Sequence, residues 1–135
     1  MGLSVLDAGP VIAVLDAADA HHAAAVAVLE RAEVAGDRFV MPASAYAECL
    51  VSPSRRGSAA VNSVDDYLDA LSAFVEPATR EVARVAAGLR ARHGRRLPLP
   101  DALVVATAIV LKADRILTTD AGWPRLAVAI EVIGV

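Results

Sequence analysis

Four acidic residues of this sequence stand where carboxylates can do chemistry rather than simply face solvent. Asp7 and Asp120 each follow a short apolar run that predicts a β-strand. Asp101 lies at the start of Leu97–Leu111, the most apolar helical segment, and Glu48 is an isolated charge in an apolar helix. Strand ends in a parallel sheet share one edge, and a helix that precedes a strand begins at that edge. We therefore expect the four carboxylates to converge there.

Converging carboxylates repel one another and are costly to desolvate, so a site of this kind needs a compensating cation. Oxygen-only ligation favours Mg²⁺ or Mn²⁺ over zinc. One or two such ions activate a water and stabilise the leaving oxygen when a phosphodiester is hydrolysed. Two plainer interpretations stay open: Asp101 as a helix N-terminal acid that interacts with the helix dipole, and Glu48 as an unusually buried carboxylate.

The elements that must position these acids alternate between short apolar strands and helices. Strands are predicted at Leu3–Leu6, Phe39–Met41, Arg115–Thr119 and Glu131–Ile133, with a strand end or connector at Val75–Pro77. Helices are predicted at Val11–Ala17, His21–Ala35, Pro42–Leu50, Val61–Phe74, Thr79–His93 and Leu97–Leu111, with Ser52–Ser58 as a loop. The last helix is apolar on nearly every side, which predicts a central position. The alternation predicts an α/β fold, a three-layer α/β/α sandwich with a mostly parallel central sheet.

The composition agrees with a single domain over residues 1–135, a size that supports one hydrophobic core. The net charge of −3 is not that of a general nucleic-acid binder, so an anionic substrate needs local arginines or a bound cation. The lone cysteine, Cys49, excludes an internal disulfide and a cysteine-based zinc site. Because no apolar run is long enough for a membrane span and no signal peptide is recognisable, we expect a cytoplasmic protein.

Three segments carry a resemblance to a known family. They are VLDAGPVIAVLD near the start, AYAECL in the middle, and LPLPDALVVATAIVLKADRILTTD toward the end. In this order and spacing they resemble the PIN domain, and more narrowly the VapC toxins of bacterial type II toxin–antitoxin pairs. The resemblance implies a PIN-like fold and a Mg²⁺- or Mn²⁺-dependent endoribonuclease that cleaves RNA phosphodiester bonds as the toxin of such a pair.

The resemblance also implies roles for individual residues and partners. It implies one supporting residue, Thr118, and four metal-binding and catalytic acids, Asp7, Glu48, Asp101 and Asp120. The implied partners are an RNA substrate, with tRNA as one candidate, a small antitoxin whose C-terminal segment covers the acidic edge, and a second copy in a homodimer. Two positions depart from the family pattern: Gly9 stands where Ser or Asn often supports the first acid, and Gly122 where another acid or Asn is common.

Several other residues have two open interpretations. Five arginines are candidates for contact with RNA or with an acidic partner, and plain solvation is the alternative: Arg55, Arg56, Arg92, Arg95 and Arg96. Trp123 is either a base-stacking residue or a packing residue at the end of the sheet. His21 and His22 stand at a helix start, where a structural role is expected rather than a catalytic one.

Other functional classes lack the residues that they require. A phosphatase with an aspartate nucleophile needs a second Asp two residues after Asp7, where Gly9 stands. A receiver domain needs adjacent acids near the start, and a nucleotide-binding enzyme needs a glycine-rich phosphate loop after the first strand. The alternative that stays open is a PIN-like module that binds a protein partner and has a weakened or inactive metal site.

Overall fold

The computed structural model describes all 135 residues, which form five strands and six α-helices. The strands are β1 (Leu3–Leu6), β2 (Arg38–Pro42), β3 (Phe74–Glu76), β4 (Arg115–Thr118) and β5 (Ile130–Val132). The helices are α1 (Ala8–Leu15), α2 (His22–Val34), α3 (Ala43–Arg56), α4 (Ser58–Ala70), α5 (Arg80–His93) and α6 (Leu99–Val110), with a 3-10 turn at Gly94–Arg96. No helix combines the length and the apolar character that a bilayer crossing requires.

The strands form one sheet in the order β3-β2-β1-β4-β5, and every pair in it is parallel. This confirms the predicted α/β architecture. The central strand β1 is buried through Val5 and Leu6, which have no exposed surface. From β1 the chain winds first toward β2 and later toward β4, so the winding direction reverses between β1 and β4. A reversal of this kind opens a crevice at the carboxyl ends of the two strands.

Helix α6 is the most thoroughly buried helix, as its sequence predicts. The five consecutive residues from Val104 to Ala108 are all buried, which requires neighbours on every side of the helix. The helix packs between α5 and the strands β1, β2 and β4. Pro100 lies in its first turn, where a missing N–H costs no hydrogen bond. A short turn joins α6 to β4, so α6 begins at the carboxyl edge of the sheet.

The predicted loop at Ser52–Ser58 is wrong. Helix α3 continues through Pro53 to Arg56, and only Gly57 separates it from α4. Gly57 has a φ of 112°, which a residue with a side chain rarely adopts, and this conformation makes the turn between the two helices. Pro53 is buried and α3 packs along α4, so tertiary packing outweighs the helix-breaking tendency of proline.

Phe74, predicted as the end of a helix, is instead the first residue of β3. Helix α4 ends at Ala70, and Ser72 reverses the chain with a φ of 53°. Because β3 is an edge strand, the Phe74 side chain is 59 % exposed. The other predicted strand boundaries match those of the structure or differ from them by one residue, which is within the usual uncertainty of element ends.

A buried carboxylate at the opposite, amino edge of the sheet joins three strands. The Asp37 side chain is 3 % exposed and receives a hydrogen bond from the Arg115 guanidinium of β4. It also accepts from the Gly2 backbone N–H at 3.0 Å and from the Ser4 hydroxyl of β1 at 3.0 Å. Since Asp37 immediately precedes β2, it links the starts of β1, β2 and β4.

Candidate functional site

Two of the four predicted site acids flank the crevice between β1 and β4. Asp7 directly follows β1 and is the N-cap of α1, and its backbone N–H donates to the Leu117 carbonyl of β4 at 3.0 Å. Asp120 comes two residues after β4, with Thr119 between them. Both carboxylates therefore lie at the carboxyl edge of the sheet, beside the reversal in strand order.

The other two acids reach the same edge on helices. Asp101 lies in the first turn of α6, and Glu48 lies near the start of α3, the helix that follows β2. The charge of Asp7 raises the pKa of both Asp101 and Glu48, and the charges of Asp120 and Glu48 also raise the pKa of Asp101. The structure thus brings all four predicted acids into one mutually repelling group.

Asp7 is the buried member of this group, with 8 % of its surface exposed. Its Oδ1 accepts from the Ala8 backbone N–H at 2.9 Å, and its Oδ2 accepts from the Thr118 hydroxyl at 2.7 Å. Burial raises the pKa of the carboxyl, the two hydrogen bonds lower it, and the charge of Asp120 raises it further. The net direction is upward, so the folded protein holds this carboxylate in a charged form at a cost.

Asp101 carries the largest shift in the group. Burial above all, and then the charges of Asp7 and Asp120, raise its pKa to about 6. The Trp123 indole N–H opposes this rise because it is a nearby donor to the Asp101 carboxyl. The N–H is buried, and its geometry falls short of a full hydrogen bond. A carboxyl with this pKa exchanges protons near neutral pH, which is a property of acid–base groups in active sites.

Glu48 is exposed, so its interpretation as an unusually buried carboxylate is wrong. Its pKa is nevertheless raised, first by partial loss of hydration and then by the charge of Asp7. The neighbouring Cys49 is buried, and desolvation raises the pKa of its thiol to about 12. Cys49 therefore packs in the core, whereas Glu48 points its charge toward the acidic group.

The Thr118 hydroxyl connects the first and the last acid. It donates to Asp7 Oδ2 and accepts from the Asp120 backbone N–H at 3.1 Å. Thr118 has no exposed surface, so water cannot take its place. Its hydroxyl therefore holds the loop that carries Asp120 in a fixed position relative to Asp7.

Replacing Thr118 with valine, which has the same shape but no hydroxyl, is expected to weaken Mn²⁺ binding about 10- to 100-fold, the usual effect of losing a group that orients a metal ligand. Asp7 loses a donor, and the Asp120 backbone N–H loses its acceptor. Thr118→Ser keeps the hydroxyl and should bind Mn²⁺ within a few-fold of the wild type. Calorimetric Mn²⁺ titration measures this, and equal affinities of the Val and Ser variants would contradict it.

Gly9 departs from the family pattern for a steric reason. A Cβ built on Gly9 would lie 2.1 Å from the Thr119 hydroxyl oxygen and 3.2 Å from the Thr119 Cβ. The space that a Ser or Asn side chain at position 9 would need is therefore filled by the Thr119 side chain. Gly122, the second departure, donates its backbone N–H to Asp120 Oδ1 at 2.7 Å and so orients that carboxylate without a side chain.

The Gly9–Thr119 contact predicts a strong coupling between the two positions. Gly9→Ala alone should destabilise the fold by about 1 kcal/mol, although alanine in a helix usually stabilises by a similar amount. In a Thr119→Ala background, the same Gly9→Ala change should be neutral or stabilising because the hydroxyl is gone. Chemical denaturation of the four proteins of this double-mutant cycle measures the coupling. Additive free energies of unfolding would show that the contact does not matter.

The acids fit a hard divalent cation in their chemistry: all are oxygen donors, they repel one another, and each oxygen of Asp7 retains a lone pair beside its one hydrogen bond. No three acidic, histidine or cysteine side chains approach a single point closely enough to form a closed metal site. The arrangement is therefore an open group of oxygen ligands along one edge of the sheet.

The five candidate arginines fall into two separate sets, all exposed and none in an ion pair. Arg92, Arg95 and Arg96 lie at the end of α5 and in the 3-10 turn just before α6, beside Asp101. Arg55 and Arg56 lie at the end of α3, which has 14 residues and so is roughly 20 Å long. The first set lies next to the start of α6, and Arg56 of the second set lines a cavity that Glu48 also lines.

The histidines have structural positions. His22 Nδ1 bonds the Ala13 carbonyl at 2.8 Å and so joins α2 to α1. His21 lies before α2, with Nδ1 3.4 Å from an Asp19 carboxylate oxygen. Neither ring is among the groups that shift the pKa of a site acid.

Comparison with known proteins shows what this chain is similar to. The PIN domain family model matches residues 4–129. No curated protein gives a significant match. Among solved structures, the toxin VapC20 of Mycobacterium tuberculosis, described as cleaving the sarcin–ricin loop, is 20 % identical with a TM-score of 0.67, and the alignment covers 84 % of this chain and 86 % of that one.

Two further solved structures align over nearly the whole chain. FitAcB of Neisseria gonorrhoeae is 20 % identical with a TM-score of 0.70, covering 94 % of this chain and 95 % of that one. VapBC2 of Rickettsia felis, bound to a promoter DNA fragment, is 15 % identical with a TM-score of 0.73, covering 96 % and 98 %. At these identities the similarity is one of fold.

Proposed function

Because this chain belongs to the PIN-domain family, we propose that it is a metal-dependent endoribonuclease that acts as the toxin of a toxin–antitoxin pair, with residues 1–135 forming one PIN-like domain in the cytoplasm. PIN domains are generally nucleases. The observation that carries the proposal is the group of four carboxylates at the carboxyl edge, where burial and the charges of neighbouring acids raise the pKa values of Asp7, Glu48 and Asp101. The proposal is also supported by the fold of this chain, which is similar to that of the toxin VapC20 and of VapBC2.

In this proposal the four acids hold Mg²⁺ or Mn²⁺, which when bound would activate a water, orient the scissile phosphate and stabilise the leaving oxygen. Asp7 contributes a fixed negative charge, because two hydrogen bonds hold its carboxylate. Burial and neighbouring charges raise the pKa of Asp101 to about 6 in the metal-free protein, and a bound cation would offset this repulsion. No thiol nucleophile is available, since Cys49 is buried with a pKa of about 12, and we expect no covalent intermediate.

An antitoxin partner is part of the proposal. A groove of about 370 Å³ runs between α1, α3 and α4, and Glu48 forms one wall. Ile12 and Leu15 line it with 41 % and 42 % of their surfaces exposed, and Arg56 adds a cation. Apolar contacts that lead to a site acid suit a peptide segment that covers the acidic edge. A homodimer is also proposed, and the exposed Phe74 on the edge strand β3 is compatible with it.

The proposal is tested by incubating purified, antitoxin-free protein with end-labelled total tRNA and short structured RNAs in Mg²⁺, Mn²⁺ or EDTA. Discrete cuts that require the metal are expected, and their 5′ or 3′ phosphate ends identify the bond that is hydrolysed. If protein that binds Mn²⁺ cuts none of these RNAs, the alternative of a PIN-like protein-binding module with an inactive site is favoured instead.

The raised carboxyl pKa values predict how pH and metal affect stability. A carboxyl whose pKa is higher in the folded than in the unfolded protein stabilises the fold most at low pH, and this contribution is lost as pH rises through the folded pKa. For Asp101 the stabilisation is lost as the pH rises through the folded pKa of about 6. Asp101→Asn should therefore raise the melting temperature of metal-free protein at pH ~7.5 but not at pH ~5.

Melting curves of both proteins in EDTA and in Mn²⁺ measure this difference. Because Mn²⁺ compensates the repulsion, it should raise the melting temperature of the wild type more at the higher pH. A gain in Asp101→Asn that is the same at both pH values would contradict the assignment of the raised pKa to repulsion in this group.

A further inference from the structure

A second cavity lies beside Asp120, and the proposed hydrolysis does not use it. It is an open depression of about 310 Å³, lined by the segment that joins β4 to β5 together with β5 itself. We call it the β4–β5 cavity. Asp120, the only acid in its lining, is also one of the four site acids. The cavity therefore borders the acidic edge, where a scissile phosphate is proposed to lie.

The base of the β4–β5 cavity, which we call its floor, is apolar and packs against the hydrophobic core. Leu126, Val128 and Ile130 line it and pack against the hydrophobic core, as does the partly buried ring of Trp123. A firm apolar surface with an aromatic ring suits a planar base, because every nucleobase presents a π-face that stacks without regard to sequence.

Arg125 is the only cation in the cavity lining, and nothing in the protein neutralises it. Its side chain is exposed and makes neither an ion pair nor a hydrogen bond. A free guanidinium beside an apolar floor matches the two parts of a nucleotide, a charged phosphate and a flat base. Arg125 shares this lining with Asp120, so the cavity offers a cation for a phosphate beside one of the site acids.

The backbone around the cavity has unused hydrogen-bonding capacity. None of the backbone N–H or C=O groups of residues 123–128 makes a hydrogen bond within the protein. Proteins that recognise single-stranded RNA read unstacked bases through hydrogen bonds to their edges. These groups therefore supply donors and acceptors for a base that lies on the floor.

We propose that the β4–β5 cavity binds one nucleotide of a single-stranded RNA segment, next to the phosphate at the acids, with the base on the apolar floor and Arg125 on a phosphate. The inference rests on the proposed ribonuclease function, since it identifies where the strand beyond the cleaved bond is held. An acidic peptide is the competing occupant, because it also offers negative charge.

The single tryptophan of the chain makes the cavity directly observable. Trp123 is the only source of indole fluorescence, and it lines the cavity. Titration of the full-length protein in EDTA with hexauridine and hexaadenosine RNA should change this fluorescence saturably. Arg125→Ala should weaken binding about 10-fold and reduce the slope of log affinity against log salt by about 0.7, as expected for the loss of one phosphate contact to a single strand.

Two variants provide controls. Arg38→Ala removes an equally exposed, unpaired arginine at the amino edge of the sheet and should change neither affinity nor salt slope. Arg125→Lys keeps the charge and should recover most of the affinity. In cleavage assays Arg125→Ala should raise KM about 10-fold with kcat nearly unchanged, because the contact lies outside the reacting bond.

The outcomes separate this inference from the proposed function. Saturable, Arg125-dependent binding by protein that cuts no RNA would reject the ribonuclease proposal and retain the cavity as an RNA site. Cleavage by the wild type with an unchanged KM and salt slope in Arg125→Ala would overturn the cavity proposal and retain the ribonuclease. An equal, Arg125-dependent fluorescence change with oligoglutamate would overturn the nucleotide as the occupant.

Discussion

Asp7→Asn and Asp101→Asn are each expected to reduce metal-dependent RNA cleavage at least about 1000-fold, because several kcal/mol of charge stabilisation at the reacting phosphate corresponds to roughly that factor in rate. Both side chains keep their size and lose their charge. At Asp7 one of the two accepting oxygens also becomes an NH2 donor, to which the Thr118 hydroxyl can turn a lone pair. Because each carboxyl has a raised pKa in the folded protein, the loss of charge relieves repulsion, and the melting temperature should stay the same or rise. Cleavage rates and melting curves measured on the same preparations test both expectations.

Asp66→Asn is the matched control for these two variants. Asp66 is an exposed acid on α4 that makes no hydrogen bond or ion pair, so its replacement removes the same charge away from the acidic edge. It should leave both cleavage and melting temperature unchanged. Wild-type cleavage by both Asp7→Asn and Asp101→Asn would remove these residues from the mechanism. Loss of activity together with a lower melting temperature would indicate a structural role instead.

Asp37→Ala is expected to lower the free energy of unfolding by about 3 kcal/mol, which is roughly 10 °C in melting temperature for a domain of this size. The Asp37 carboxylate is almost fully buried and accepts from three donors, so its removal leaves the Ser4 hydroxyl and the Arg115 guanidinium without their acceptor. Arg115 retains Glu131 as a second, weaker partner at 3.6 Å, which limits the loss.

Asp114→Ala is the control for the stability prediction. Asp114 also accepts a backbone N–H at this edge, from Leu3 at 2.7 Å, but it is exposed, and water can replace its carboxylate. Its removal should cost less than about 1 kcal/mol. Chemical denaturation of both variants measures the difference, and equal losses would show that burial of Asp37 is not the cause. RNA cleavage by Asp37→Ala at a temperature where it is folded should be close to that of the wild type.

The two edges of the sheet differ in how their carboxylates affect stability. At the amino edge a single buried carboxylate is matched by donors, and its charge stabilises the fold. At the carboxyl edge several carboxylates face one another with few donors, and their charges oppose folding. Functional groups that lower the stability of the fold are a common feature of active sites.

The sequence alone determined the features that depend on local pattern. Alternating apolar runs predicted the parallel sheet, and the unbroken apolar face of α6 predicted its central position. The position of an acid just after a strand, as with Asp7, or in the first turn of a buried helix, as with Asp101, was enough to place it at the carboxyl edge. Chain direction within a parallel sheet dictates that outcome, whatever the neighbours are.

Only the tertiary structure decided the contacts between residues that are distant in the chain. The Thr118 hydroxyl reaches Asp7 across 111 positions, and Arg115 reaches Asp37 across 78. Nothing in the local sequence distinguishes Asp37 from an exposed acid, and Pro53 indicated a loop until its burial against neighbouring elements was known. Short-range patterns encode which face of an element is buried, whereas hydrogen-bond partners, packing around a proline and the floor of a cavity depend on which elements become neighbours after folding.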